Sequence, residues 1–165
     1  MKQMYINLKR CTDKNRKMTE RFPNAMRLGA VDGYNETDSS ILPYTVNPDW
    51  RDPATHRRMT KGEVGCILSH IKAWKVVVAM DEPMIILEDD GVVLRENYES
   101  LAEVALNKYD FIYLSHKVMS GDVEDIDGRL FTGPFLYWAN AYALTPKVAR
   151  LLLDYFADHA LIPTD

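Results

Sequence analysis

Three consecutive carboxylates, Glu88, Asp89 and Asp90, are the residues of this sequence whose type and spacing best suit chemistry. They follow the apolar run 84–87, which predicts a short strand buried on both faces, as in a parallel sheet covered by helices. Ligands of open α/β sheets bind beyond the carboxyl ends of the strands, where these acids would lie. Adjacent carboxylates repel one another, and Mg²⁺ or Mn²⁺ carrying a phosphate would relieve that repulsion. Taken alone, the cluster fits a solvated turn equally well.

Two further sets of polar residues follow predicted strands. The run 4–8 predicts the first strand. Four basic residues come at or just beyond its end, where a guanidinium could pair with a phosphate: Arg10, Lys14, Arg16 and Lys17. For any one of them alone, a solvated helix face is the more ordinary role. The run 27–31 predicts a second strand, and Asp32 at its end could turn toward the same crevice.

The best-signalled helix begins after Thr60. Thr60 and Glu63 form a capping box, and apolar residues then follow on one stripe to about Met80. Glu63 and His70 lie in the first turns of this helix, near an amino-terminal end that favours anions. A histidine in such a position is more often structural than catalytic, so His70 is a candidate that the sequence leaves open.

The rest of the chain alternates helix and strand signals. A helix is predicted over about 96–107, a strand over 110–115, and late strands at 130–131 and 137–144. Thr145-Pro146 marks the start of a final helix, because proline suits the first helical position.

Composition limits the class of protein. The 165 residues are 47% apolar and 27% charged, as expected for a single globular domain with a sizeable core. A net charge of −4 without long blocks of either sign argues against nucleic acid as a partner. With no apolar run long enough to span a bilayer and no signal-peptide core, we expect a cytoplasmic protein. Cys11 and Cys66 suggest neither a zinc-type pair nor a disulfide framework.

Four segments, in order, resemble glycosyltransferase family 25, which includes lipooligosaccharide galactosyltransferases of bacterial envelopes and collagen galactosyltransferases. They are Tyr5-Ile6-Asn7-Leu8, Ala30-Val31-Asp32-Gly33, Lys61-Gly62-Glu63-Val64-Gly65-Cys66-Ile67-Leu68-Ser69-His70 and Leu87-Glu88-Asp89-Asp90. The resemblance implies an α/β, GT-A-like nucleotide-diphosphosugar transferase fold with a mostly parallel central sheet flanked by helices. Longer members of the family continue beyond the position of Asp165, which leaves open that the domain 1–165 is truncated at its carboxyl end.

The resemblance also implies an activity. A hexose, galactose in the named members, would move from a UDP-sugar to a glycan or glycoconjugate hydroxyl with inversion at the anomeric carbon. Residues 88–90 would stand in for the D-x-D motif of such enzymes and bind Mn²⁺, or Mg²⁺, with Asp90 as the main ligand and Glu88 assisting. The predicted donor contacts are Arg10, Arg16, Asp32, Glu88 and Asp89. An envelope acceptor would also allow peripheral contact with a membrane.

An inverting transfer also needs a base to take the proton of the acceptor hydroxyl. A carboxylate or an imidazole can do this while the metal steadies the leaving diphosphate. The candidates, in order, are Asp165, Glu63 and His70.

Two other interpretations are open. The run 85–94 is close to the signature of haloacid-dehalogenase-type phosphatases, an apolar strand followed by D-x-D-G. The nucleophile of that family would fall at Glu88, whose extra methylene displaces the attacking oxygen when geometry matters at the ångström scale. The other alternative is a non-catalytic domain that binds a sugar nucleotide or a glycan.

Overall fold

A five-stranded sheet with helices on both faces forms the centre of the computed structural model, which describes residues 1–35, 44–120, 124–125, 131–132 and 135–163. The strands are β1 (Lys2–Asn7), β2 (Met26–Gly29), β3 (Met84–Glu88), β4 (Phe111–Ser120), β5 (Glu124–Asp125), β6 (Phe131–Thr132) and β7 (Phe135–Leu144). The helices are α1 (Thr12–Arg21), α2 (Lys61–Met80), α3 (Tyr98–Leu106) and α4 (Pro146–Asp158). The predicted helices are confirmed, with small differences at their ends. Among the strands, β4 runs five residues beyond the predicted end at 115, and β5 was not predicted.

The strand order of the sheet is β2-β1-β3-β7-β4. β1 pairs in parallel with β2 and β3, whereas β7 pairs antiparallel with both β3 and β4. Strands β1 to β4 therefore share one direction, because α1, α2 and α3 supply the crossovers that parallel strands require. The predicted α/β class is confirmed, but the reversed strand β7 lies between β3 and β4 and makes the sheet mixed.

Side chains alternate along β3 between two helical layers. Met84 and Ile86 belong to the core that α2 and α4 cover, and Ile85 and Leu87 belong to the core on the side of α1 and α3. All four are at most 4% exposed. Successive side chains of a strand point to opposite faces, so the side chains at the end of β3 also alternate between these two helical layers.

Helix α2 begins with the predicted capping box. Thr60 Oγ1 accepts a hydrogen bond from Glu63 N at 3.2 Å, and Thr60 N donates to Glu63 Oε2 at 2.7 Å. Arg57 also binds this carboxylate through both terminal nitrogens, at 2.7 and 2.8 Å. The Arg57 hydrogen bonds, followed by those from Thr60, lower the pKa of Glu63 from 4.5 to about 2 against the opposing effect of burial.

The first turns of α2 touch the backbone of the loop that follows β2. Val31 N donates to Ser69 Oγ at 2.9 Å, and Ser69 Oγ donates to Gly65 O at 2.6 Å. A Cβ atom on Gly65 would lie 2.6 Å from Gly33 N and 2.8 Å from Val31 O. A Cβ on Gly33 would likewise collide with the carbonyl oxygen of Lys61. Glycine at both positions therefore lets the loop and the helix meet.

No helix within the described ranges has both the length and the apolar content that crossing a membrane requires.

The contact between loop and helix predicts that Gly65→Ala destabilises the fold. Helix propensity alone favours alanine by about 1 kcal/mol, whereas overpacking against rigid backbone typically costs about 1–3 kcal/mol. We therefore expect a net loss of up to about 2 kcal/mol in urea unfolding. Gly29→Ala is the matched control, because nothing lies within 4 Å of its added methyl group. Equal stabilities of the two variants would contradict the contact.

The pairing of Glu63 predicts a pH-dependent stabilisation. Its folded pKa of about 2 lies below the ordinary 4.5, so the stabilisation is complete above about pH 4.5 and disappears as the pH falls through about 2. Such a shift corresponds to about 3 kcal/mol, which we reduce to about 1 kcal/mol for solvent screening at the half-exposed Arg57. In urea unfolding, the free energy of unfolding of the wild type should exceed that of Glu63→Gln at pH 7, and this difference should shrink as the pH is lowered to 2.5. A constant difference over that range would exclude the effect.

Candidate active site

A cavity of about 190 Å³ opens at the edge of the sheet where β1 and β3 end. Its walls come from the end of β1, the loop 30–34, the first turns of α2 and the end of β3. The side chains on it that could do chemistry are Arg10, Asp32, Cys66, Ser69, His70, Glu88 and Asp89. Sequence predicts all of these except Cys66 and Ser69. Ligands of open α/β sheets bind at this edge, which makes the cavity the candidate active site.

Because side chains alternate along β3, the side chains of Glu88 and Asp89 lie on opposite faces of the sheet. Glu88 continues the side of Ile86 and turns toward α2, where its Oε1 lies 3.2 Å from His70 Nε2. Asp89 turns toward α1, where Lys14 Nζ lies 2.6 Å from its Oδ1. Asn7 Nδ2 donates to Asp89 Oδ2 at 2.8 Å. The two carboxylates are therefore held by different helices and do not share one partner.

Glu88 is a carboxylate held among polar groups at the edge of the core. Besides the contact with His70, Cys66 Sγ lies 3.5 Å from its Oε1. Burial raises the pKa of Glu88, whereas hydrogen bonding to His70 and Cys66 and nearby positive charge, including that of Lys14, lower it, and the net result is a pKa below the ordinary value. Glu88 is therefore ionised at neutral pH.

His70 is 1% exposed and has a partner on each ring nitrogen. Its Nδ1 lies 2.7 Å from the hydroxyl of Tyr142, which also accepts a hydrogen bond from Trp74 Nε1 at 3.0 Å. Burial raises the pKa of Tyr142 well above its ordinary value, so its hydroxyl is neutral. Sequence gives no signal for this contact, because Tyr142 lies on β7, far along the chain.

Basic side chains lie on the β1 side of the cavity. Arg10 forms an ion pair with Asp32 across the mouth. Lys14 is paired with Asp89, and that hydrogen bond raises the pKa of Lys14. Arg16, in contrast, lies on the exposed surface of α1, where its Nη1 is 2.9 Å from Glu20.

Two other predicted residues are not among those that line the cavity. The Asp90 side chain is exposed and makes no hydrogen bond or ion pair with any other described residue. Glu63 is bound to Thr60 and Arg57 at the start of α2. Asp165 lies outside the described residues.

Two sets of side chains could hold a metal ion. Within the described part of the chain, the ligand atoms of Cys66, His70 and Glu88 lie within 4.8 Å of one another. Thiolate and imidazole suit zinc better than Mn²⁺, which prefers oxygen ligands. The other candidate is Asp90, whose carboxylate oxygens have no partner among the described residues and are of the ligand type that Mn²⁺ and Mg²⁺ prefer. Sequence missed the first set, although Cys66 and His70 are four residues apart and so share one face of a helix.

Comparison with known proteins identifies the protein family to which this chain is similar. The family model described as Glycosyltransferase family 25 (LPS biosynthesis protein) matches residues 1–127. A Drosophila melanogaster protein named Glycosyltransferase 25 family member is 34% identical over 97% of this chain and 29% of its own length. A Rattus norvegicus protein named Probable inactive glycosyltransferase 25 family member 3 is 35% identical over 86% of this chain and 27% of its own length. A protein of Acanthamoeba polyphaga mimivirus, named Procollagen lysyl hydroxylase and glycosyltransferase, is 32% identical over 97% of this chain and 20% of its own length.

Each of these matches covers most of this chain, whereas the chain spans less than a third of each relative. The range 1–127 includes every segment that builds the cavity wall, from the end of β1 to the end of β3. The α/β architecture, with helices on both faces of the sheet, is compatible with a GT-A-like glycosyltransferase fold. The chain belongs to glycosyltransferase family 25.

Proposed function

We propose that this chain is a metal-dependent glycosyltransferase that moves a hexose, galactose, from a UDP-sugar to a glycan or glycoconjugate hydroxyl with inversion. One observation carries the proposal. Glu88 and Asp89 at the end of β3 line one cavity with Arg10 from just beyond β1, and Lys14 contacts Asp89, in a chain of this family. A diphosphate with its cation needs both signs of charge in one place.

The basic residues would bind the diphosphate of the donor. Arg10 presents a guanidinium that can bind phosphate through two nitrogens, and Lys14 presents a point charge. A cavity of about 190 Å³ is smaller than the ~300–1,000 Å³ of typical ligand sites, so it would hold one part of the donor. Arg16 would need to leave Glu20 to take part.

Asp90 would hold the metal, with Glu88 assisting. The carboxylate of Asp90 is exposed and has no hydrogen-bond or ion-pair partner among the described residues, which supports this assignment because its oxygens are available to a hard cation. When bound, such a cation neutralises charge on the leaving diphosphate. Asp89, held by Asn7 and Lys14, would keep the strand end in place and orient Lys14.

The base is proposed among three residues. Asp165 stands first, Glu63 second and His70 third. Pro163, two residues before Asp165 in the sequence, lines a second cavity that His70 also borders. Glu63 is a weak base at neutral pH, because its pKa is about 2.

A second candidate function is donor or glycan binding without transfer. The observation that favours it is the name of the rat relative, which describes a probable inactive protein at 35% identity. Such a domain would keep the cavity and its charges and lack turnover.

UDP release tests the proposed function. With Mn²⁺ and UDP-galactose, we expect slow release of UDP to water without an acceptor, faster release when a glycan acceptor is supplied, and no turnover of p-nitrophenyl phosphate. A coupled UDP assay, with EDTA as the metal-free control, measures this. Donor binding without any UDP release would support the binding domain. Steady phosphate release that Glu88→Gln removes would support a phosphatase.

The metal assignment predicts that Asp90→Asn abolishes Mn²⁺-dependent binding of the UDP-sugar and leaves the fold intact. Isothermal titration calorimetry measures the binding, and circular dichroism checks the fold. Asp154→Asn is the matched control, because Asp154 is an exposed carboxylate on α4, remote from β3 in sequence and on a separate element. Unchanged affinity in a folded Asp90→Asn protein would remove Asp90 from the metal site.

A further inference from the structure

Four side chains form a continuous chain of hydrogen bonds from the core to the cavity. Trp74 Nε1 donates to the Tyr142 hydroxyl at 3.0 Å, and this hydroxyl lies 2.7 Å from His70 Nδ1. On the other side of the ring, His70 Nε2 lies 3.2 Å from Glu88 Oε1. The first three residues are at most 4% exposed, so each buried polar atom needs a partner.

The donors and acceptors of this chain allow one arrangement that satisfies every group. An indole nitrogen can only donate, so the Tyr142 oxygen accepts from Trp74. The Tyr142 proton then has one acceptor among the described residues, the lone pair on His70 Nδ1. The ring proton therefore lies on Nε2, which donates to Glu88 Oε1. An imidazolium would donate from both nitrogens and would leave the Tyr142 proton without an acceptor among the described residues.

We propose that His70 is a positioning residue, held as the Nε2–H tautomer by Tyr142 and Trp74, which fixes the Glu88 carboxylate at the cavity. In this arrangement both ring nitrogens are occupied. His70 therefore has no lone pair for the proton of an acceptor hydroxyl and does not act as the base. The consequence for transfer rests on the proposed function, but the tautomer and the fixed carboxylate do not.

The two oxygens of Glu88 have different roles in this arrangement. The contacts of Glu88 with His70 and with Cys66 both involve Oε1. Among the described residues, Oε2 has no hydrogen-bond partner and is left for a ligand. A glutamate at the end of a strand otherwise samples many rotamers, so fixing Oε1 presents Oε2 in one orientation before the ligand binds.

A metal ion bound by Cys66, His70 and Glu88 would require the opposite tautomer. Binding through Nε2 places the proton on Nδ1, which would then donate to the Tyr142 oxygen. That oxygen already accepts from Trp74, and the Tyr142 proton would lose its acceptor. The two interpretations therefore predict different protonated nitrogens in the same ring.

Long-range ¹H–¹⁵N correlation spectra of the full chain, labelled in its histidines, read the tautomer directly. The chain has four histidines, and His70→Gln identifies the signal of His70. We expect a neutral ring with the proton on Nε2, unchanged by one equivalent of Zn²⁺. A proton on Nδ1, or an imidazolium at neutral pH, would overturn the proposal. A Zn²⁺-induced shift of the His70 signal that is lost in Cys66→Ser and retained in Cys11→Ser would also overturn the proposal. That pattern would show that Cys66, His70 and Glu88 bind a metal ion.

Tyr142→Phe tests the positioning itself. Its matched control is Tyr5→Phe, which removes another buried hydroxyl, bonded to Asn15 and Thr19 and not to this chain of hydrogen bonds. We expect Tyr142→Phe alone to broaden or shift the Glu88 side-chain ¹³C signal and to weaken Mn²⁺-dependent UDP binding by roughly 10- to 100-fold. An unchanged Glu88 signal in a folded Tyr142→Phe protein would overturn the proposal. Absent UDP binding by the wild type, with the expected tautomer and Glu88 signals, would count against the proposed function only.

Discussion

The alternation of side chains along β3 is the constraint on which the site depends. Met84 to Leu87 are buried on both faces of the sheet, so the strand cannot slip by one residue without turning its apolar side chains to the wrong layer. The same register sends Glu88 to α2 and Asp89 to α1. A strand whose register is determined by packing thus separates two neighbouring acids into two environments. One is ionised among buried polar groups, and the other is paired with a lysine.

Helix α2 forms the cavity wall opposite β1 and contacts the backbone of the loop that follows β2. Gly65 and Gly33 allow the helix and the loop after β2 to touch, and Ser69 ties the two together. Cys66 and His70 therefore face the cavity from a helix that cannot shift independently of the loop carrying Asp32. The segment 61–70, one of the four on which the resemblance to the family rests, is also the segment that makes these contacts.

Local sequence by itself determined most of the secondary structure and the position of the acids. The capping box at Thr60 and Glu63, the proline at the start of α4 and the apolar run before Glu88 are short-range signals, and each predicts its element correctly. The residues on the cavity wall were also largely predictable, because parallel strands place their carboxyl ends at one edge. Arg10, Asp32, His70, Glu88 and Asp89 lie there. The family, too, was recognisable from four short segments.

Only the tertiary structure decided the partners of those residues. The reversed strand β7 brings Tyr142 against His70, a contact between residues 72 positions apart that no local pattern encodes. Arg10 lines the cavity while Arg16, on the same basic segment, pairs with Glu20 on the exposed side of α1. Glu63, near the site in sequence, is held by Arg57 at the helix start. Sequence specifies which groups are present, whereas strand order and helix rotation determine which of them meet, because both depend on packing between distant parts of the chain.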